Sequence, residues 1–578
     1  MTRNLATRIP ARALSWASTC SLSRPSSSCV SILNSQRRLS LKCRAYATSA
    51  DTKKPFYVTT PIFYVNAAPH VGHFYTMVLA DTFKRWQLLL GNTDAQFLTG
   101  TDEHGIKIQR AAQEAGMDTQ SFCDMNCKTF QDLAKMANIK NDHFIRTTDE
   151  AHKDAVRYFW EMLQHRGYIY TSKHEGWYSV SDETFFPQSQ VQSALDPATG
   201  RKRMVSVETG KEVEWSSETN YHFRLSALKD QLLQFYHDNP NFIRPKPYMD
   251  AVVRSVESGL SDLSISRPIE RLSWGVRVPG DDSQTVYVWL DALVNYLTKA
   301  GYPFPPGEES KLGWPADIHV IGKDIIRFHA IYWPAFLLAL DLPLPRNILV
   351  HGHWTMNREK MSKSTGNVVN PFFAVDRFGI DTMRFFLTYQ GPLGDDSDYD
   401  NSFIVRDYKK LLMSGIGNFI NRVPRIVNRD VEPCMRAAAE DKLPEPSAED
   451  LEFEAFLKGV PSRVADQMDN LNPKGAIREV IGIIERGQKY FHATAPWEYK
   501  KTDVTQAYRI IYNAMETFRI TALLLQPFMP DKAAEILDML RVDPAKRGFR
   551  DAVYGGDQTY AREGVDWKIL FPKLIVED

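Results

Sequence analysis

The apolar positions of this chain change period along its length. Phe56-Tyr57-Val58-Thr59-Thr60 is β-branched and aromatic and is stopped by Pro61, which predicts a strand. Leu79, Phe83, Trp86 and Leu90 follow at the spacing of a helix that Gly91 closes. Gln96-Phe97-Leu98-Thr99 predicts a second strand and residues 106–115 a second helix ending at Gly116. Thr147-x-x-Glu150 reads as a capping box opening a third helix that runs to Gly167. Strands alternating with helices imply a parallel sheet of the α/β class.

From Tyr168 to Gly275 that rhythm is lost. Short alternating pieces rich in Ser, Thr, Glu and Trp, with turns at Gly200 and Gly210, predict an insertion. The rhythm resumes with strands at Val286–Trp289, Ile318–Ile321 and Asn347–Val350 and a helix from Ile325 to Leu340. A split Rossmann-type, doubly wound parallel sheet with an inserted connective domain fits this order. Beyond about Ser402 the pattern predicts no strand. Amphipathic stretches at 403–425, 449–469, 474–493 and 503–525 predict an all-α bundle separate from the sheet. The expected domains are 51–167 and 276–401 for the two halves of the sheet domain, 168–275 for the insertion and 402–578 for the bundle.

Composition alters the picture at the N-terminus. The first fifty residues hold no Asp or Glu, seven Arg, one Lys and eleven Ser, the make-up of a mitochondrial or plastid transit peptide, and Arg44-Ala45-Tyr46 resembles a processing site near Tyr46; the mitochondrial one is the expectation. A basic tail for nucleic acid is the alternative. Without those charges the remainder carries 62 basic against 70 acidic residues, so a nucleic-acid partner must meet a local basic surface. No apolar run reaches the roughly eighteen residues of a membrane span, and no membrane partner is expected. Cys123, Cys127 and Cys434 make no disulfide framework, and the first two read as ordinary thiols rather than metal ligands.

Two short motifs carry the chemistry. His70-Val71-Gly72-His73 stands just after a strand and its loop, where a following helix offers unpaired N–H groups and the positive end of its dipole; Gly72 leaves the backbone open to a nucleotide. Lys360-Met361-Ser362-Lys363-Ser364 sits in a polar loop, and its two ammonium groups suit phosphate oxygens. Together they predict an ATP site. Taken singly, each motif also fits a bland surface role, a helix start or a solvated loop.

The pair resembles the two hallmark motifs of class I aminoacyl-tRNA synthetases. Tyr57-Val58-Thr59-Thr60-Pro61-Ile62-Phe63-Tyr64-Val65-Asn66, Gly100-Thr101-Asp102-Glu103-His104-Gly105, Tyr287-Val288-Trp289-Leu290-Asp291-Ala292 and Ile321-Gly322-Lys323-Asp324-Ile325 narrow the likeness to the methionyl-tRNA synthetases. That resemblance implies methionine, ATP with Mg2+ and tRNA-Met as substrates and partners. It implies His70, Gly72, His73, Lys360 and Lys363 as catalytic residues. Gly322, Asp324, Met361 and Ser362 would join His70, His73, Lys360 and Lys363 around ATP. Asp102 would hold the substrate ammonium, and Ile62, Tyr64, Trp289, Ala292, Tyr296, Ile325, His329 and Trp333 would form the side-chain pocket. Read without the family, Trp289, Tyr296, His329 and Trp333 are plain core residues. Asn418, Arg422 and Trp497 would meet the anticodon.

The chain also departs from the family's pattern. Where many members carry zinc-binding Cys pairs, Gly176-Trp177-Tyr178-Ser179-Val180-Ser181-Asp182-Glu183 has none, so no structural zinc and no metal site are expected. Leu293 stands where several members have proline. A monomer in the mitochondrial matrix is the expectation. A synthetase for another apolar amino acid, and an RNA-binding factor without catalysis, are the rivals.

Overall fold

The computed structural model describes residues 54–180, 184–186, 188–196, 200–305, 307–361 and 368–574, without the side chains of His174, Thr184 and Lys360. The expected transit peptide and Ser362, Lys363 and Ser364 lie outside the described residues.

Seven strands form the central sheet: β1 (Tyr57–Thr59), β2 (Phe63–Tyr64), β3 (Gln96–Asp102), β4 (His143–Arg146), β5 (Ile243–Arg244), β6 (Ile318–Gly322) and β7 (Ile348–His351). Their order is β5-β7-β6-β1-β3, with β2 continuing beside β3 past the Pro61 break and β4 on the far side of β3. Every pair is parallel, with Val58 opposite both Ile318 and Phe97. Successive side chains of a strand point to opposite faces, and here both faces are buried. Val58, Phe97, Val320 and Leu349 enter one apolar core, while Tyr57, Leu98, Ile321 and Val350 enter the other. This is the doubly wound arrangement expected from the pattern.

From β1 the chain crosses to β3 and β4 on one side and returns through β6 on the other. The strand order therefore reverses at β1, and a crevice opens at the carboxyl ends of β1 and β6, where such sheets bind ligands.

Several local expectations are corrected. Thr147 does not cap a helix: its hydroxyl accepts the Glu103 N–H at 2.9 Å, and Asp149 is the residue that precedes helix Glu150–His165. The loop after β3 takes that hydroxyl from the helix. Val286–Trp289 is not one strand, because the strand Asp281–Val286 ends there and helix Val288–Lys299 begins at once. A short β-branched run does not distinguish strand from buried helix by periodicity. Residues 243–244, inside the segment read as an insertion, pair with β7 in the central sheet. Helix Thr119–Met136, capped by the Asp118 carboxylate on the Ser121 N–H, and β4 were not foreseen.

The bundle is not separate from the sheet. One continuous core runs from Val58, Phe74 and Trp86 to Phe419, Leu523 and Phe528. Within it the fully buried Arg384 pairs with Asp81 of helix α1 (Val71–Leu89) at 2.6 Å and donates to the carbonyls of Pro527 and Phe528. Among the described residues no helix is long and apolar enough to cross a membrane.

Candidate active site

The crevice at β1 and β6 opens into a cavity of 1690 Å³. Of the expected residues it is lined by Ile62, Tyr64, His70, Gly72, His73, Asp102, Trp289, Ala292, Tyr296, Gly322, Asp324, Ile325, His329 and Met361. Positions far apart in the chain thus form the two ends of one chamber.

Along one side of the cavity, His70 is the N-cap of α1. Its Nδ1 accepts the Gly72 N–H at 3.0 Å while His73 Nδ1 accepts the His70 N–H at 3.1 Å, a reciprocal cap built from two imidazoles. The rings lie 3.9 Å apart, and His73 is held edge-on by Phe63 and Phe130. Because both Nδ1 atoms accept, each neutral ring carries its proton on Nε2. Both rings line the cavity at the positive, N-terminal end of the helix dipole. Gly72 is needed for a reason beyond ligand access: a Cβ there would stand 2.7 Å from His70 Cε1.

Across the crevice, Gly322 ends β6, and a Cβ on it would meet Asp324 Oδ1 at 3.0 Å. Asp324 lies 3.4 Å from His353, and Lys323 turns away to Asp396 at 2.7 Å. Behind them His351 is buried, which lowers its pKa to about 4, and its Nε2 is 2.9 Å from the Thr76 hydroxyl.

The other end is aromatic. Trp289 stacks on Phe328 with ring centroids 3.6 Å apart and planes 6° apart. Tyr296 and His329 are joined by a 2.8 Å hydrogen bond between the phenol and Nε2, and His329 Nδ1 donates to the Ile325 carbonyl at 3.0 Å. Burial lowers the His329 pKa to about 4, so the ring is neutral and its Nε2 accepts from the phenol. The helix expected over 325–340 holds a π-turn at Phe328–Tyr332, whose wider winding lets both Phe328 and His329 reach the cavity. Trp333 is fully buried behind Tyr296, 6.1 Å away between rings, and lines no part of the cavity. Sequence reasoning missed Phe328 and Lys107, whose ammonium sits 4.8 Å from the Tyr64 ring. The signal for Phe328 was its place between two expected pocket residues, Ile325 and His329.

Asp102 ends β3 and is 2% exposed. Lys360 pairs through its backbone with Thr355 in a short strand, just before Ser362 and Lys363.

Far from this cavity, Asn418 and Arg422 share an exposed helix face. The Arg422 guanidinium lies 5.3 Å from the Phe491 ring, which also touches Trp497 at 6.3 Å; Trp497 is 37% exposed. Phe491 thereby gathers Arg422 and Trp497 at one surface.

In the insertion Trp177 stands directly across from Trp215, and the buried Arg267 and half-buried Arg271 flank the Tyr178 ring at 5.2 and 3.9 Å. Cation–π contacts and strand pairing hold this segment together. Ser181, Asp182 and Glu183 lie outside the described residues, and no group of three or more His, Cys, Asp or Glu able to hold a metal occurs among the described ones. Cys123, Cys127 and Cys434 are buried free thiols; burial pushes Cys127 up to about 11 and Cys434 to about 12.

Comparison with known proteins agrees with this geometry. Residues 56–424 match the family described as tRNA synthetases class I (M), which sets the class as a class I aminoacyl-tRNA synthetase. Residues 444–553 match the anticodon binding domain of methionyl tRNA ligase. A Neurospora crassa protein named "Probable methionine–tRNA ligase, mitochondrial" is 50% identical over 94% of this chain and 89% of its own length. The mitochondrial methionine–tRNA ligase of Bos taurus is 41% identical over 90% of each. The crystal structure of Mycobacterium tuberculosis methionyl-tRNA synthetase bound by methionyl-adenylate superposes with a TM-score of 0.81 at 39% identity, covering 90% of this chain and all of that one. The chain belongs to the methionyl-tRNA synthetases, the methionine–tRNA ligases.

Proposed function

We propose that this chain activates methionine with ATP and transfers the methionyl group to tRNA-Met in the mitochondrial matrix. The observation that carries the reading is one cavity lined at once by the aromatic residues Trp289, Phe328 and Tyr296, by the histidine pair at a helix N-terminus and by Asp102. A thioether gains roughly 0.3–1.5 kcal/mol from each well-placed aromatic ring, and Trp289, Phe328, Tyr296 and His329 supply such a wall. Asp102, buried at the strand end, is the partner for the substrate ammonium.

With methionine so held, its carboxylate oxygen attacks the α-phosphorus of ATP. The bond from that phosphorus to the bridging oxygen breaks, and pyrophosphate departs. His70 and His73 donate from Nε2 to the phosphate oxygens as charge builds, and Lys360 and Lys363 neutralise the leaving pyrophosphate. Gly322 and Asp324 take the ribose end. ATP enters as its Mg2+ complex, the ion travelling with the nucleotide as substrate. A terminal hydroxyl of tRNA-Met then attacks the methionyl carbonyl and releases AMP. Asn418, Arg422 and Trp497 read the anticodon, guanidinium and amide at base edges and the indole by stacking.

The matrix location is supported by the acid-free, Arg- and Ser-rich first fifty residues and by relatives named as mitochondrial. The active form is read as a monomer; a solution mass near twice that of the chain contradicts it. Replacing Lys363 with Ala tests the chemistry. Pyrophosphate exchange should fall on the order of a hundredfold while methionine binding is retained, and unchanged exchange removes the role assigned to Lys363.

A further inference from the structure

The loop that follows β3 carries Asp102 and is clamped on several sides. Glu103 receives two N–H groups of Arg146, at 2.7 and 2.8 Å, and the hydroxyls of Thr101 and Thr148. The Trp274 indole donates to the Glu103 carbonyl at 2.6 Å. None of these clamps comes from the methionine pocket.

One clamp does. Asp291 lies in helix Val288–Lys299 between Trp289 and Ala292, and its two oxygens meet two imidazoles: Oδ2 meets His104 Nδ1 at 2.7 Å, and Oδ1 meets His152 Nε2 at 2.8 Å. All three side chains are at most 4% exposed. His152 Nδ1 is also 3.1 Å from the hydroxyl of Thr298, two turns further along the same helix, so that ring braces the helix at two points. An ionised carboxylate only accepts hydrogen bonds, so each imidazole must turn an N–H toward it. Burial alone would raise the Asp291 pKa; His104 and His152 outweigh it and hold the group down to about 2.

We propose that Asp291, with His104 and His152, is a positioning triad that fixes the separation between Asp102 and the Trp289–Tyr296 wall. The inference rests on the reading of Asp102 as the ammonium partner. His104 is two residues from Asp102, and Asp291 is two residues from Trp289. The contact between them therefore sets how far the ammonium site stands from the thioether site. Methionine is measured by that distance, since both of its ends must be satisfied at once.

Substitution of His104 tests this without disturbing the helix. An Asn amide reaches about where Nδ1 stands and keeps the N–H to Asp291, whereas Gln reaches the Nε2 position and Ala removes the donor. His104→Ala and His104→Gln should raise KM for methionine on the order of tenfold and leave KM for ATP within about twofold, while His104→Asn stays within about threefold of wild type for both. 4-(Methylthio)butanoate, which lacks the amino group, should compete equally well against all three variants. Asp102→Asn is run alongside: if it leaves KM for methionine unchanged, the ammonium reading itself fails. If Asp102→Asn raises that KM but Asn and Gln at position 104 behave alike, the triad is only a structural tie and the proposal is overturned. It is overturned equally if KM for methionine and for ATP rise together with a falling thermal midpoint. Should His104→Ala not fold, the Asn–Gln contrast decides alone.

Discussion

Replacing Gly72 with Ala should separate catalysis from stability at the histidine cap. The new methyl would lie 2.7 Å from His70 Cε1 and 2.9 Å from Nδ1, whereas ordinary contact begins at 3.4 Å. The His70 ring must therefore retreat by 0.7 Å, the difference between the first and last of these distances, by turning about its two side-chain torsions. That movement breaks the 3.0 Å bond from the Gly72 N–H and removes the cap of α1. Loss of a helix N-cap costs about 1 kcal/mol, partly offset by the better helix propensity of Ala, so the thermal midpoint should move by no more than a few degrees. Catalysis should respond far more. A displacement approaching 1 Å in a positioned donor costs on the order of a hundredfold, and the His73 ring packed 3.9 Å away is pushed with it. The assay is single-turnover formation of adenylate from bound methionine and ATP, run with equilibrium methionine binding and a thermal melt. Adenylate formation within about twofold of wild type, or a loss of activity that merely tracks unfolding, would remove the cap from the catalytic machinery.

Acidification should destabilise the fold through its buried histidines. His329 and His351 titrate at about 4 when folded against 6.5 for a free ring. Burial penalises their charged form, so stability is full above pH 6.5 and is lost as pH falls toward 4. Each should cost roughly 2 kcal/mol by about pH 5, and denaturant melts showing no loss between about pH 7 and 5 would contradict this. Trp497→Ala removes an indole that is 37% exposed beside Phe491; kcat/KM for tRNA should drop by about 10- to 100-fold while pyrophosphate exchange stays unchanged. Arg384→Leu removes one of two guanidinium partners of the buried Asp81, which keeps Arg85 at 2.6 Å, and unpairs the carbonyls of Pro527 and Phe528; it should cost about 1–3 kcal/mol in a denaturant melt and loosen the docking between bundle and sheet.

Period and punctuation carried most of the sheet into view, because Pro61, Gly91 and Gly116 mark boundaries that backbone sterics enforce. What escaped was decided by tertiary competition. The Thr147 hydroxyl had two possible donors to serve, a helix N-terminus and the Glu103 N–H, and nothing local says which is nearer in space. Val288 and Trp289 look like strand because β-branched and aromatic residues suit any buried surface, yet here they open a helix. A dipeptide of sheet such as Ile243–Arg244 is too short to leave a pattern at all. For the site, the histidine pair pointed to a nucleotide through its place at a helix start, whereas the pocket residues were legible only through the family's motifs. Their spacing alone would have left Tyr296 and His329 as core. The reciprocal use of Nδ1 by His70 and His73, the π-turn that brings Phe328 to the cavity, and the retreat of Trp333 behind Tyr296 arise from packing in three dimensions and leave no periodic trace.

Whether one cavity both selects methionine and activates it with ATP is decided by amino-acid-dependent ATP–pyrophosphate exchange, run across the full set of protein amino acids with the full chain. Exchange is expected with methionine alone, other apolar amino acids lying at least about a hundredfold lower in kcat/KM. Comparable exchange with leucine, isoleucine or valine, or RNA binding without exchange for any amino acid, would contradict it.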